Sequence, residues 1–166
     1  MKKLWAVLIL GALLTGCSAK ETFETVSDLL DVPVMAQMQQ LELSIPDEAA
    51  VPSMEDTEAG KLYLFDGYTL TVQTMDAGDL DNTLRQLTGY EKSQLTLMQT
   101  KRDDVERYEC VWSAAGENGD QIVRAVILDD GYYHYSVTAM APADNAGQLT
   151  ATWQKIFDSA KLVSTD

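Results

Sequence analysis

The chain has 166 residues, with 26 acidic against 12 basic side chains and a formal net charge of −14 at pH 7. This length is sufficient for one domain with a hydrophobic core. A strongly negative protein repels phosphate backbones and anionic head groups, so the composition argues against nucleic acid as a partner, and it also favours solubility of an exported domain.

The first segment, residues 1–16, has the pattern of an export signal. Lys2 and Lys3 precede an apolar stretch, 4–14, that is too short to span a bilayer permanently. The next residues, Leu14-Thr15-Gly16-Cys17, resemble the lipobox of bacterial lipoproteins. The resemblance implies cleavage before Cys17 and a diacylglycerol on its thiol, whose two acyl chains meet the usual requirement for stable anchoring. The alternative is an ordinary secretory signal with a coincidental cysteine.

The predicted mature protein is therefore a lipid-anchored domain on the extracytoplasmic face of the cell membrane. Residues 17–39 are the lipidated N-terminus and tether, and residues 40–166 form a single domain. The membrane is the predicted partner, through the anchor on Cys17. Because Cys17 is then unavailable for a disulfide, we interpret Cys110 as a small core hydrophobe, with a reactive thiol as the alternative.

The domain is predicted to begin with a strand and a hairpin. Apolar residues alternate over 40–45 and predict a strand that a proline ends, and the acidic stretch 47–60 predicts a long surface loop. Strands at 61–65 and 68–74 flank the pair Asp66-Gly67, which suits a tight hairpin turn.

A short helix and a short strand follow the hairpin. Asp79 is predicted to cap the helix and Gly89 to end it, and its apolar face holds Leu80, Leu84 and Leu87. Leu95 and Leu97 then begin a strand that ends in the charged turn 101–104.

Three strand-like runs between Val105 and Pro142 predict an antiparallel meander at 105–141. Its turns are expected at Asn118-Gly119 and Asp130-Gly131. A two-residue loop at the second pair would place Leu128 opposite Tyr133, Val126 opposite Tyr135 and Arg124 opposite Val137.

The predicted pairing sorts the meander into two faces, because successive residues of a strand alternate. One face contains Val111, Ile122, Val126, Leu128, Tyr133, Tyr135 and Val137. The second face contains Tyr108, Cys110, Trp112, Val123, Ala125, Ile127 and His134. Both faces are mainly apolar, so both need a covering layer.

The last predicted element is a helix from about Asp144 to Lys161, with Asp144 as a possible cap. Its apolar stripe consists of Leu149, Trp153, Ile156, Phe157 and Ala160. The fold class is therefore α+β: an antiparallel sheet of about seven strands with two helices that could cover its two faces.

Two short motifs resemble the PsbP/Mog1-like lipoprotein group. They are Leu41-x-Leu43-x-Ile45-Pro46 and the ending Trp153-x-x-Ile156-Phe157-x-Ser159-x-Lys161-Leu162. The resemblance implies an antiparallel sheet between helices, an α/β/α sandwich, and a non-catalytic accessory role. It carries no functional residues over, and the acidic stretch 47–60 departs from the group.

The sequence offers few residues for catalysis. Its one histidine, His134, shares a predicted face with Cys110, but both lie in apolar strands, so we interpret the pair as core packing. The acidic run from Asp76 through Asp79 lacks the glutamate of a calcium loop in either frame, and clustered zinc ligands are absent from the sequence. We therefore predict no catalytic residue, no metal site and no cofactor.

Two functions follow from these observations. The first is a membrane-anchored extracytoplasmic lipoprotein that serves as a non-catalytic binding or accessory module. The second is a lipoprotein hydrolase whose carboxylates meet only in the fold, which would require a cleft with convergent carboxylates. The aromatic group Trp112, Tyr132, Tyr133 and Tyr135 is interpreted as core, with a ligand platform as the alternative.

Overall fold

A computed structural model describes residues 38–46 and 60–164. The predicted signal peptide, the lipidation site at Cys17, most of the tether and the acidic loop at 47–59 lie outside the described residues.

The main sheet has six antiparallel strands in the order β2-β3-β7-β6-β5-β4. Its members are β2 (Lys61–Phe65), β3 (Tyr68–Asp76), β4 (Leu97–Arg102), β5 (Val105–Gly116), β6 (Gly119–Asp129) and β7 (Tyr133–Pro142). The apolar and β-branched content of these runs favours strands, and the predicted meander at 105–141 is confirmed as β5, β6 and β7.

A second sheet has two short strands, β1 (Gln40–Glu42) and β8 (Lys161–Val163). The prediction extended the last helix to Lys161, but that helix ends at Ser159. The Oγ of Ser159 donates to the Ile156 carbonyl at 2.6 Å and accepts from the Ser44 amide at 2.8 Å. These bonds join the end of the helix to the segment that follows β1, and β1 itself pairs with β8 rather than with the main sheet.

The turns agree with the sequence to different degrees. Asp66-Gly67 forms the predicted two-residue turn, with Gly67 at a φ of 79°. Asp103 and Asp104 connect β4 to β5 with positive φ values of 50° and 65°, which matches a type I′ turn. The turn between β5 and β6 is Glu117-Asn118, because Gly119 already pairs with Gly116.

The predicted register between β6 and β7 is wrong by two residues. Asp129 pairs with His134, so the hairpin turns over four residues, 130–133, and Leu128 faces Tyr135, Val126 faces Val137 and Arg124 faces Ala139. Tyr133 belongs to β7 through its pairing with Asp76 of β3. The Asp130 carboxylate explains the longer loop, since its Oδ1 accepts from the amides of Tyr132 and Tyr133 at 2.9 and 2.8 Å. An even shift keeps every side chain on its predicted face.

Each face of the sheet is covered by one helix, as predicted. Helix α2 (Ala143–Ser159) packs on β6 and β7 and buries Trp153, Ile156 and Phe157 against Val126, Leu128, Tyr135 and Val137. Helix α1 (Leu80–Thr88) contributes Leu84 to the other core, with Cys110, Trp112, Val123, Ala125 and Ile127. The α+β architecture is therefore confirmed, with helices on both sides of the sheet.

The helix caps follow the prediction for α1 but not for α2. Asp79 accepts from the Asp81 amide at 3.1 Å, and Gly89 ends α1 in the left-handed conformation. The N-cap of α2 is Pro142, which has no side-chain acceptor, and Asp144 lies inside the first turn. Asp144 therefore interacts with the helix dipole rather than capping the helix.

We expect Trp153→Ala to reduce the free energy of unfolding by about 3–5 kcal/mol, because large buried aromatic side chains typically cost this much when truncated. The Trp153 side chain is 3% exposed and lies edge-on to Tyr68, with ring centroids 6.2 Å apart. Urea denaturation followed by circular dichroism measures the change.

Asp144→Ala is the control in the same helix. It should cost only about 0.3–1 kcal/mol, because a charge near a helix N-terminus contributes no more than this at an exposed position. Equal stability of the Trp153 and Asp144 variants would show that α2 is peripheral to the core.

Candidate functional site

Helix α2 leaves part of its own sheet face uncovered. It packs on β6 and β7, whereas β5 and the edge strand β4 extend past it. Met98 on β4 and Val111 on β5 are consequently 53% and 54% exposed, and the residues opposite them on this face are Glu109 and Arg124 rather than core residues. The uncovered strip is therefore an apolar surface beside the helix.

A cavity of about 490 Å³ lies between this strip and α2, and we call it the β5–α2 groove. Its sheet wall includes Met98, Val111 and Ile122, and its helix wall includes Ala143, Ala146, Gly147 and Thr150. The helix-wall residues are one turn apart and small, which leaves space between α2 and the sheet. Trp153, Glu109 and Arg124 also line the groove.

Gly147 is the member of this wall that is hardest to explain by stability alone. It lies inside a 17-residue helix, where glycine is less favourable than alanine by about 0.5–1 kcal/mol. A Cβ built on Gly147 would meet no atom within 4 Å, so packing does not exclude a larger residue. The glycine therefore keeps the groove open at some expense of helix stability.

A charged cluster lies at the base of the groove. The Glu109 carboxylate accepts from Arg107 at Oε1, through Nε at 3.1 Å and Nη2 at 2.9 Å, and from Arg124 Nη2 at Oε2, at 2.8 Å. Glu109 is 8% exposed, and both arginine side chains are 16% exposed. A carboxylate this buried requires such partners, because its desolvation is costly.

The two arginines differ in how completely the protein satisfies them. Arg107 also donates to the Phe157 carbonyl at 3.1 Å and lies 3.9 Å from Asp158. Arg124 donates through Nη2 to Glu109 and Gln154 and lies 5.2 Å from the Phe157 ring centroid. Among the described residues, no side chain or carbonyl accepts from its Nε or Nη1.

A smaller polar cavity of about 400 Å³ lies where β1 meets β8. Glu42 and Lys161 form an ion pair of 3.1 Å at its wall. Both groups are substantially exposed, so the pair contributes little binding energy.

His134 is a buried structural residue rather than a partner of Cys110. Its Nε2 lies 3.3 Å from Asp129 Oδ2 and its Nδ1 lies 2.7 Å from Thr83 Oγ1. Because a carboxylate only accepts, Nε2 of His134 donates to Asp129, and Nδ1 shares a hydrogen bond with the Thr83 hydroxyl. These contacts among Thr83, His134 and Asp129 join α1 to the sheet. Neither Thr83 nor His134 lines either of the two cavities.

The structure separates Cys110 from His134, although both side chains are on the α1 face as predicted. Cys110 lies in the same row as Ala125 and Thr138, and His134 is four residues from Thr138 along β7. This offset is about 13 Å along the strand, so the two groups cannot act on one atom. Burial raises the pKa of the Cys110 thiol to about 11, which keeps it protonated at neutral pH.

The other candidate residues from the sequence, Asp79 and the aromatic group, have roles in capping and packing or lie at the surface. Asp79 is the α1 cap, and no group of three metal-ligating side chains occurs in 38–46 or 60–164. The four aromatic residues do not form a platform. Trp112 is in the α1 core, Tyr135 is fully buried in the α2 core, Tyr133 is partly buried edge-on to Tyr135, and Tyr132 is 62% exposed. Burial raises the pKa of Tyr135 to about 12, and its hydroxyl bonds Asp130 at 3.1 Å.

The condition stated above for a hydrolase is not met in the described part of the chain. Each cavity has one carboxylate in its lining, Glu109 or Glu42. Both carboxylates are ion-paired with cationic side chains, so the described cavities do not bring two carboxylates together.

The sequence interpretation did not select the residues of the groove. Arg107 and Glu109 alternate with the apolar Tyr108 and Cys110, so charged residues on an apolar strand were a visible signal. The pattern alone could not show that α2 stops short of β5. It also could not show that Arg124 reaches Glu109 from the next strand.

No family model matches the sequence, and no curated protein matches it. Solved structures do. LpqN of Mycobacterium tuberculosis, described as involved in cell envelope biogenesis, aligns with a TM-score of 0.53 at 12% identity, over 77% of this chain and 86% of that one.

The solution structure of cyanobacterial PsbP from Synechocystis sp. PCC 6803 aligns with a TM-score of 0.52 at 8% identity, over 77% of this chain and 95% of that one. At these identities the similarity establishes the fold alone. The fold is PsbP-like, which confirms that part of the resemblance inferred from sequence. A search of the described residues for a membrane-spanning helix gave no candidate.

The Cys110 thiol should not react with disulfide reagents in the folded full chain carrying Cys17→Ser, and it should react fully in denaturant. The reason is that the side chain is 3% exposed and its pKa is raised from 9.0 to about 11. Absorbance of the released thiolate measures the reaction.

The same pKa shift predicts how stability changes with pH. Between pH 9 and 11 the unfolded thiol ionises first, so the contribution of Cys110 to stability falls as pH rises through this range. Rapid modification of the native protein at neutral pH would identify Cys110 as a reactive thiol instead.

Gly147→Ala should raise the free energy of unfolding by about 0.5–1 kcal/mol, because it removes the helix penalty of glycine and the added methyl group meets open space. Gly89→Ala is the contrasting variant, since Gly89 has a φ of 76° and should lose stability on substitution. Urea denaturation measures both; destabilisation by Gly147→Ala would show that the wall is closely packed.

Proposed function

We propose that this protein is a membrane-anchored lipoprotein of the extracytoplasmic side of the cell envelope, acting as a non-catalytic binding or accessory module. The anchor part of the proposal is supported by the resemblance of Leu14-Thr15-Gly16-Cys17 to a lipobox. The PsbP-like fold gives it further support, since the similar LpqN structure is described as involved in cell envelope biogenesis.

The observation that carries the binding part is the β5–α2 groove. It combines an apolar strip, a helix wall of small residues and a buried ion cluster within about 490 Å³. Binding sites are typically apolar clefts of about 300–1,000 Å³ with a few placed polar groups. The groove has this character, and the charged groups at its base are arranged to hold each other rather than to transfer protons.

Cys17→Ser tests the anchor, because serine lacks the thiol that accepts the lipid. We expect the variant to leave the detergent phase in Triton X-114 partitioning or to retain its uncleaved signal peptide. Cys110→Ser is the matched control, since it removes the other cysteine of the chain and should leave membrane retention unchanged. Processed Cys17→Ser protein that partitions like wild type would contradict the lipoprotein assignment.

A further inference from the structure

We propose that the β5–α2 groove binds a single-chain amphiphile with a carboxylate head group, held at Arg124, and an aliphatic body along the exposed strip. This inference rests on the proposed function as a binding module and names the class of ligand that the module takes.

The donors in the groove select an anionic head. Arg124 and Glu109 line its base, Arg107 pairs with Glu109 from outside the lining, and Arg124 retains its Nε and Nη1 donors without an acceptor among the described residues. Trp153 lines the same groove, is 3% exposed, and its Nε1 donor also has no acceptor there. Charge-assisted bonds to a carboxylate would satisfy Arg124.

The same geometry disfavours a cationic ligand. Glu109 is the carboxylate of the groove, and both of its oxygens already accept from arginine. A cation placed there would approach two guanidinium groups and find no free acceptor on Glu109. A polyanion would be repelled by the rest of a chain whose net charge is −14.

The walls select an aliphatic body. Met98 and Val111 are more than half exposed, and Ile122 extends the strip towards the helix. Burial of these side chains by a hydrocarbon chain is favourable because it removes apolar surface from water. The missing side chain of Gly147 gives the chain access along α2.

Octanoate is the probe for this site, titrated by calorimetry into the full-length protein in phosphatidylcholine nanodiscs, with empty nanodiscs as the blank. We expect saturable binding, and we expect octanol, which has the same chain and no charge, to bind at least about tenfold more weakly. Octyl phosphate distinguishes a carboxylate from a phosphate head.

Two substitutions locate the site. Gly147→Leu places a side chain in the groove and should weaken octanoate binding at least about tenfold, whereas Gln148→Leu adds the same side chain at an exposed position of α2 outside the groove lining and should bind like wild type. Arg124→Gln should also weaken octanoate at least about tenfold, without affecting octanol, because Arg107 still pairs with Glu109. The folding of each variant is checked by its urea midpoint.

Several outcomes would overturn the proposal. Equal binding of octanol and octanoate would show that the site does not recognise an anionic head group. Tighter binding of octyl phosphate would show that the head group is a phosphate. Unchanged octanoate binding by the Gly147→Leu variant would show that the ligand binds outside the groove. Absence of saturable binding would refute the ligand class while leaving the anchored module intact.

Discussion

The whole structure depends on one constraint, which is that the central strand β6 is apolar on both faces. Val126 and Leu128 face one side, Ala125 and Ile127 face the other, and each of the four is at most 4% exposed. A sheet of this kind cannot expose either side to water without losing much of its stabilisation, so it requires a helix on each face. The helices are placed where this requirement is strongest, over the centre of the sheet.

The outer strands are less apolar than β6 and need less cover, and the part of the sheet that α2 leaves uncovered forms the groove. A helix of the width of α2 covers about two strands, since strands lie about 4.8 Å apart and a helix is about 10 Å across. On the α2 face, β5 carries Arg107 and Glu109 rather than a continuous apolar row. These charges are stabilised by Arg124 from β6 and by contacts with Gln154 and Phe157 of α2. The ion cluster thus closes the side of the core and forms the base of the groove.

Several predictions from sequence were accurate because they depended on local chemistry. Asp66-Gly67, Asp79 and Gly89 have conformations that their own side chains, or lack of one, favour. The two faces of the meander were assigned correctly even though the register of β6 and β7 was not. The error came from Asp130, whose carboxylate holds a four-residue loop where the Asp-Gly pair suggested a two-residue one.

The sequence by itself determined the alternation of side chains, the order of the main elements and the resemblance to a lipobox at Cys17, because each is a property of neighbouring residues. Only the tertiary structure decided which side chains lie opposite each other on neighbouring strands. Arg124 and Glu109 are fifteen residues apart along the chain, and they meet because β5 and β6 pair in one register. Likewise, the side chains of Cys110 and His134 lie on the same face of the sheet but far apart along the strands. Their separation depends on the register of strand pairing, which no short sequence pattern encodes.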